Sequence, residues 1–203
     1  LLPRIRLAHN VLRSRFLPIH SSYWIDFDST VKTIYGNQEG AMKGYNPEHK
    51  GKKSYHPLIC AEAHFQDCLG GELRYGNVDT AAGADKMLDT ILAIIATNGN
   101  IRVRADSGFY GGNFIAKLSQ HNCQFAIVAQ RTKPLQLKIL GQRYTAINKT
   151  QATAEFKYQP FGWEKPYRFI VMREKLTEKR KQQLQLFTLE NYSYRLIVTN
   201  LEL

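Results

Sequence analysis

The sequence predicts an α/β fold: a mixed sheet in the order β-β-β-α-β-α-β, flanked by helices, with a β-rich insertion near the C-terminus. Three observations carry the prediction. Residues 23–31 alternate apolar and polar side chains, residues 81–97 carry apolar side chains at helical spacing, and residues 101–106 return to alternation.

In order along the chain, residues 1–22 place Arg4, Arg6, Arg13 and Arg15 among apolar residues, which predicts a basic amphipathic lead-in helix broken near Pro18. From Tyr23 to Val31, Ile25 and Phe27 point one way and Asp26 and Asp28 the other. Residues 35–53 are rich in glycine and asparagine, contain Pro47, and read as a long basic loop. Ser54–Phe65 and Glu72–Val78 read as two strands of a hairpin turning at Asp67-Cys68-Leu69-Gly70-Gly71. Met87, Leu88, Ile91, Leu92, Ile94 and Ile95 mark a helix stopped by Asn98-Gly99-Asn100. Ile101, Val103 and Ala105 then alternate with Arg102, Arg104 and Asp106, which sets Asp106 at the C-terminal end of a strand, before Ser107-Gly108. A helix from about Asn113 to His121 and a strand at Gln124–Val128 complete the core over residues 23–131. This order is that of a ribonuclease-H-like sheet. Beyond it, residues 132–203 form short alternating runs at Thr153–Tyr158, Tyr167–Met172 and Tyr194–Thr199, read as a β-rich insertion and return strand packed beside the core.

With 203 residues, 43% of them hydrophobic, the chain can bury a real core, and disorder is excluded as a description of the whole. Lys and Arg outnumber Asp and Glu by 28 to 17, a formal charge of +11, which favours polyanionic partners, nucleic acid first. Cys60, Cys68 and Cys123 form neither a CxxC pair nor a framework spacing, so reduced thiols and a cytoplasmic setting are expected. No apolar run approaches the roughly 20 residues of a membrane span, and no membrane partner is expected.

Phosphodiester chemistry needs an activated oxygen nucleophile and a stabilised leaving oxygen, which two divalent ions about 3.5–4 Å apart supply. Such ions take hard oxygen ligands, and Mg²⁺ asks for only one or two protein carboxylates. Asp28 and Asp106 can meet across neighbouring central strands spaced about 4.8 Å, with Asp26 roughly 6.5–7 Å along the same face as an extra or alternate ligand. Read from spacing alone, the alternative is that each acid faces solvent or caps the following helix. His56, Cys60, His64 and Cys68 recur every four residues, but on strands that spreads them roughly 13 Å per pair, too far to ring one zinc ion.

Ile25-Asp26-Phe27-Asp28-Ser29-Thr30, Tyr35-Gly36-Asn37-Gln38-Glu39-Gly40-Ala41, Gly44-Tyr45-Asn46-Pro47 and Ser54-Tyr55-His56-Pro57-Leu58 together resemble bacterial insertion-sequence transposases of the DDE superfamily. Leu73-Arg74-Tyr75-Gly76-Asn77 and Arg104-Ala105-Asp106-Ser107-Gly108-Phe109 follow in that family's order. The resemblance implies nicking at the ends of a mobile DNA element and strand transfer into target DNA, dependent on Mg²⁺ or Mn²⁺. It implies a homodimer on paired double-stranded DNA ends in the bacterial cytoplasm, at the nucleoid. Asp28 matches the family's first catalytic acid and Asp106 its second. The third, a Glu on a helix after the β insertion, is expected beyond Leu203, since Glu202 stands on or just after a strand. Lys43, Tyr45, Asn46, His49, Lys50, Lys52, Lys53 and Arg104 are the expected DNA contacts. Two other readings share these residues: a truncated, non-catalytic DNA-binding remnant, and a ribonuclease-H-like nuclease acting on RNA–DNA hybrids.

Overall fold

The structure is a computed structural model that describes Ala8, Val11 and Leu12 and residues 22–64, 67–95, 99–177 and 191–202. Most of the predicted lead-in helix, and the end of the charged stretch at 173–181, lie outside the described residues.

Strand β1 (Ser22–Ser29) realises the expected alternation: Tyr23, Ile25 and Phe27 are buried while Asp28 is exposed. Three short strands follow, β2 (Lys32–Thr33), β3 (Met42–Lys43) and β4 (Lys53–Tyr55), which form a small separate sheet in the order β2-β4-β3. The main sheet continues with β5 (Leu58–Glu62) and β6 (Asp67–Glu72), then helix α1 (Ala84–Ile94), β7 (Asn100–Ala105), helix α2 (Gly112–Gln120) and β8 (Gln124–Val128). Helix α3 (Lys133–Leu140) leads to β9 (Thr145–Ala146), β10 (Gln151–Tyr158), β11 (Tyr167–Lys175) and β12 (Tyr192–Thr199).

Nine strands join in one sheet in the order β6-β5-β1-β7-β8-β12-β11-β10-β9. Only β1–β7 and β7–β8 pair parallel, each spanned by a helical crossover, and the remaining pairs are antiparallel. The later strands extend the same sheet rather than forming one of their own. Strand β12 hydrogen-bonds to β8 with Val198 opposite Ile127, so one sheet runs through both halves. Alternation along a strand reports which side chains are buried, not which strand it pairs with, and both arrangements satisfy the same pattern.

Helices α1 and α2 cover one face, burying Leu88, Ile91, Phe114, Ile115 and Leu118 in a core with Tyr23, Ile25, Phe27, Val103, Phe125 and Ile127. Phe27 meets the Phe109 and Phe114 rings edge-on, at 6.1 and 5.4 Å between centroids. The opposite face carries Trp24, Asp26, Asp28, Arg102 and Arg104.

Two sequence readings give way. The expected turn at Asp67–Gly71 is strand β6, which takes in Glu72, and the rest of the expected strand to Val78 holds only an isolated bridge between Tyr55 and Tyr75. Glycine at 70 signals a turn in the sequence, yet here it lies in β6 with Met87 and Ile91 of α1 packed over it. Helix α3 was not foreseen, because it buries only Leu135 and Ile139 and is too short to display a periodic stripe.

Candidate functional site

The two strands that pair parallel at the centre of the sheet also carry the acids. Phe27 of β1 stands opposite Ala105 of β7 as the last pair of that ladder, and Asp28 and Asp106 are the residues that follow, at the C-terminal ends of these neighbouring strands. Open α/β sheets hold their ligands at this edge. Asp28 Oδ1 accepts the Ser29 amide at 2.7 Å. Asp106 Oδ1 accepts the Gly108 amide at 2.9 Å and caps the 3₁₀ turn Ser107–Phe109, so the capping role open from sequence is present. Each carboxylate keeps its second oxygen without a partner among the described residues. That turn is tight: a Cβ at Gly108 would lie 2.4 Å from Thr80 Cγ2.

Asp26 is placed differently. Arg104, directly across on β7, donates from Nε and Nη2 to the two Asp26 carboxylate oxygens, both at 2.7 Å. This fork raises the Arg104 pKa and engages both Asp26 oxygens. The guanidinium also lies 5.3 Å from the Trp24 ring, as does that of Arg102. Among the described residues no three His, Cys, Asp or Glu side chains gather closely enough to hold a metal ion. The carboxylates of Asp28 and Asp106 are hard oxygen donors of the kind Mg²⁺ accepts.

The basic loop is pinned at its base and open at its rim. Buried Asn46 donates to Thr33 Oγ1 at 2.9 Å and accepts the His49 amide at 2.9 Å, so this side chain holds the loop rather than presenting itself outward. Gly44 sits against the backbone of Gly76, where a Cβ would come within 2.0 Å of the carbonyl oxygen. Lys53 donates to Asn37, and His49 approaches the Tyr35 hydroxyl at 3.5 Å. Lys43, Lys50 and Lys52 are exposed and have no partner among the described residues, and Tyr45 is 74% exposed.

Sequence reasoning gave Arg74 no role. It is buried, and its guanidinium joins the strand end after Asp28 to the turn at 79–82. Nη2 donates to Ser29 Oγ at 2.7 Å, Nε to the His56 carbonyl at 2.8 Å, and Nη1 to the carbonyls of Asp79, Thr80 and Ala82. Burial lowers the Arg74 pKa, while Glu72 and Asp79 push it back up. The one signal available in the sequence is a lone arginine in an otherwise uncharged run between Glu72 and Asp79.

The sequence from residue 5 to residue 202 matches the family described as transposase DDE domain group 1. The chain belongs to that family. No curated protein matches the sequence. The fold of this DDE domain resembles that in the cryo-EM structure of the piggyBac transposase synaptic complex with hairpin DNA, with a TM-score of 0.54 at 8% identity. The likeness covers 92% of the DDE domain described here and 34% of the piggyBac chain, so the present chain spans about a third of that protein's length. Among the described residues of the DDE domain, no helix is long and apolar enough to cross a membrane.

Proposed function

We propose that this chain is the catalytic core of a bacterial DNA transposase, cleaving the ends of a mobile element and joining them to target DNA. The reading is supported by Asp28 and Asp106 each following the last parallel pair of β1 and β7, in a chain that matches the DDE family over nearly its whole length. The strand order β6-β5-β1-β7-β8, with crossovers through α1 and α2, supports a ribonuclease-H-like core at 23–131, preceded by a lead-in at 1–22 and extended by a β-rich region at 132–203.

In this reading Asp28 and Asp106 hold Mg²⁺ or Mn²⁺ through their unpartnered oxygens, and Asp26 answers Arg104 instead. The metal supplies an activated oxygen nucleophile and charge stabilisation at the leaving oxygen. Lys43, Lys50, Lys52 and Lys53 meet DNA phosphates, and two copies act on paired ends as a homodimer.

The test is nicking of a supercoiled plasmid carrying the DNA that flanks the coding sequence, by the protein expressed from its full reading frame, with Mg²⁺ or Mn²⁺. The expected result is metal-dependent nicking that falls by at least about a hundredfold in Asp28→Asn and Asp106→Asn. Unchanged cleavage in Asp106→Asn overturns the assignment. Tight binding without cutting selects a non-catalytic DNA-binding remnant, and cleavage confined to RNA–DNA hybrids selects a nuclease.

A further inference from the structure

A cavity of about 740 Å³, lined by neither Asp28 nor Asp106, lies between the turn at 79–83, the helices α1 and α2, and the turn that joins β10 to β11. Phe161 stands at its rim with its side chain wholly exposed. The turn that presents this ring is fixed. The Trp163 amide donates to the Pro160 carbonyl at 3.1 Å, Gly162 takes the left-handed φ of 81° between them, and Gln159 Nε2 donates to the Trp163 carbonyl at 2.7 Å. The Trp163 ring packs against Tyr110 and Tyr167, at 5.1 and 5.7 Å between centroids. A large apolar ring held in water on a rigid turn gains from burial and loses little conformational freedom when it is covered.

Charge narrows the partner. Asp79, Asp85 and Glu164 line the cavity and are exposed, whereas the lysine that lines it, Lys117, is paired with Asp89 at 3.0 Å. In a chain of net charge +11 this surface is an acidic exception, which favours a basic segment over a nucleic-acid strand. The turn around Phe161 is such a segment, with Lys157 before it on β10 and Lys165 after it, both exposed. Knob and cavity therefore lie side by side on one surface, and a two-fold axis between two chains sets each knob over the other's cavity. We propose that a second copy of this chain docks here, each Phe161 entering the cavity of the other and the lysines beside it facing the acids. The proposal gives a surface to the homodimer of the transposase reading and rests on that reading.

The experiment uses the protein expressed from its full reading frame, as an equal mixture of ¹⁵N-labelled and unlabelled chains carrying Phe161→p-benzoylphenylalanine. Irradiation without DNA should join position 161 of one chain to the 81–85 or 113–120 segment of the other, read by mass spectrometry as mixed-isotope pairs. Phe161→Ser changes a fully exposed side chain and should weaken the dimer at least about tenfold in sedimentation velocity, the scale of a buried aromatic anchor. Asp85→Lys should weaken it as well. Cross-links confined to one isotope, or a dimer that Phe161→Ser leaves unchanged, overturn the interface, and metal-dependent nicking by the same protein then leaves the transposase reading standing. Cross-linking of position 161 to an added DNA duplex instead of to protein also overturns the interface, in favour of a nucleic-acid contact. A monomer that neither cross-links nor nicks overturns both.

Discussion

Arg74 donates from Nη2 to the hydroxyl of Ser29 at 2.7 Å, and Ser29 is the residue that follows Asp28. The same hydroxyl donates to the Pro57 carbonyl at 3.0 Å, so its proton and a lone pair are both engaged. On its other side Arg74 gathers the carbonyls of the turn that carries Thr80, and Thr80 packs on Gly108 beneath Asp106. One buried guanidinium thus ties the strand end of the first acid to the turn of the second. Arg74→Met should lower the unfolding free energy by about 3 kcal/mol, because it strands several buried carbonyls at once. Denaturant titration measures this, and a loss under about 1 kcal/mol would mean that water replaces the guanidinium at little cost.

Asp26 and Arg104 form a bidentate pair, but their side chains are 39% and 51% exposed. Exposure weakens the pair's contribution through solvent screening. Asp26→Asn should change stability by less than about 1 kcal/mol, with the difference shrinking further at high salt. The same variant should retain metal-dependent nicking, whereas abolished nicking with an intact fold would make Asp26 a metal ligand after all.

Asp89 on α1 faces α2, with Lys117 Nζ at 3.0 Å and His121 Nε2 at 2.8 Å from its Oδ1. The bond from Lys117 first, and that from His121 after it, hold the Asp89 carboxyl below the ordinary range. A depressed carboxyl stabilises the fold above the unfolded value, about pH 4, and that contribution is lost as pH falls through the lowered folded value. Asp89→Asn should therefore flatten the acid side of the stability profile below about pH 4 and leave its shape near neutrality unchanged. Parallel acid limbs in thermal melts of the two proteins would contradict this coupling between the helices.

The three cysteines should differ sharply in reactivity. Cys68 is exposed, whereas Cys60 and Cys123 are buried, and burial pushes the Cys123 thiol up to about 11 and the Cys60 thiol higher still. Thiolate is the reactive form, so a maleimide at pH 7 should label Cys68 alone in the folded protein and all three thiols in denaturant. Mass spectrometry of the labelled peptides reads the outcome, and native labelling at Cys123 would mean that the α2–β8 junction opens.

By itself the sequence determined the elements with a strong period and the residues carried on them. Alternation at Tyr23–Asp28 and Ile101–Asp106 is a local property of the chain, as is the apolar stripe of α1, because each follows from backbone geometry over a few residues. The strand-end positions of Asp28 and Asp106 were legible for that reason, whereas their choice as metal ligands came from the resemblance to the transposase family. Tertiary structure alone decided what those residues touch. The fork between Asp26 and Arg104 joins residues 78 positions apart, and the bond from Arg74 to Ser29 spans 45. Gly70 and Gly71 misled in the same way, since the helix that packs on Gly70 is remote from anything a turn propensity measures. A return strand was expected from the alternation at Tyr194–Thr199, but its partner β8 and its register were not, because an alternating strand presents the same pattern to any neighbour and only closure of the whole sheet selects one.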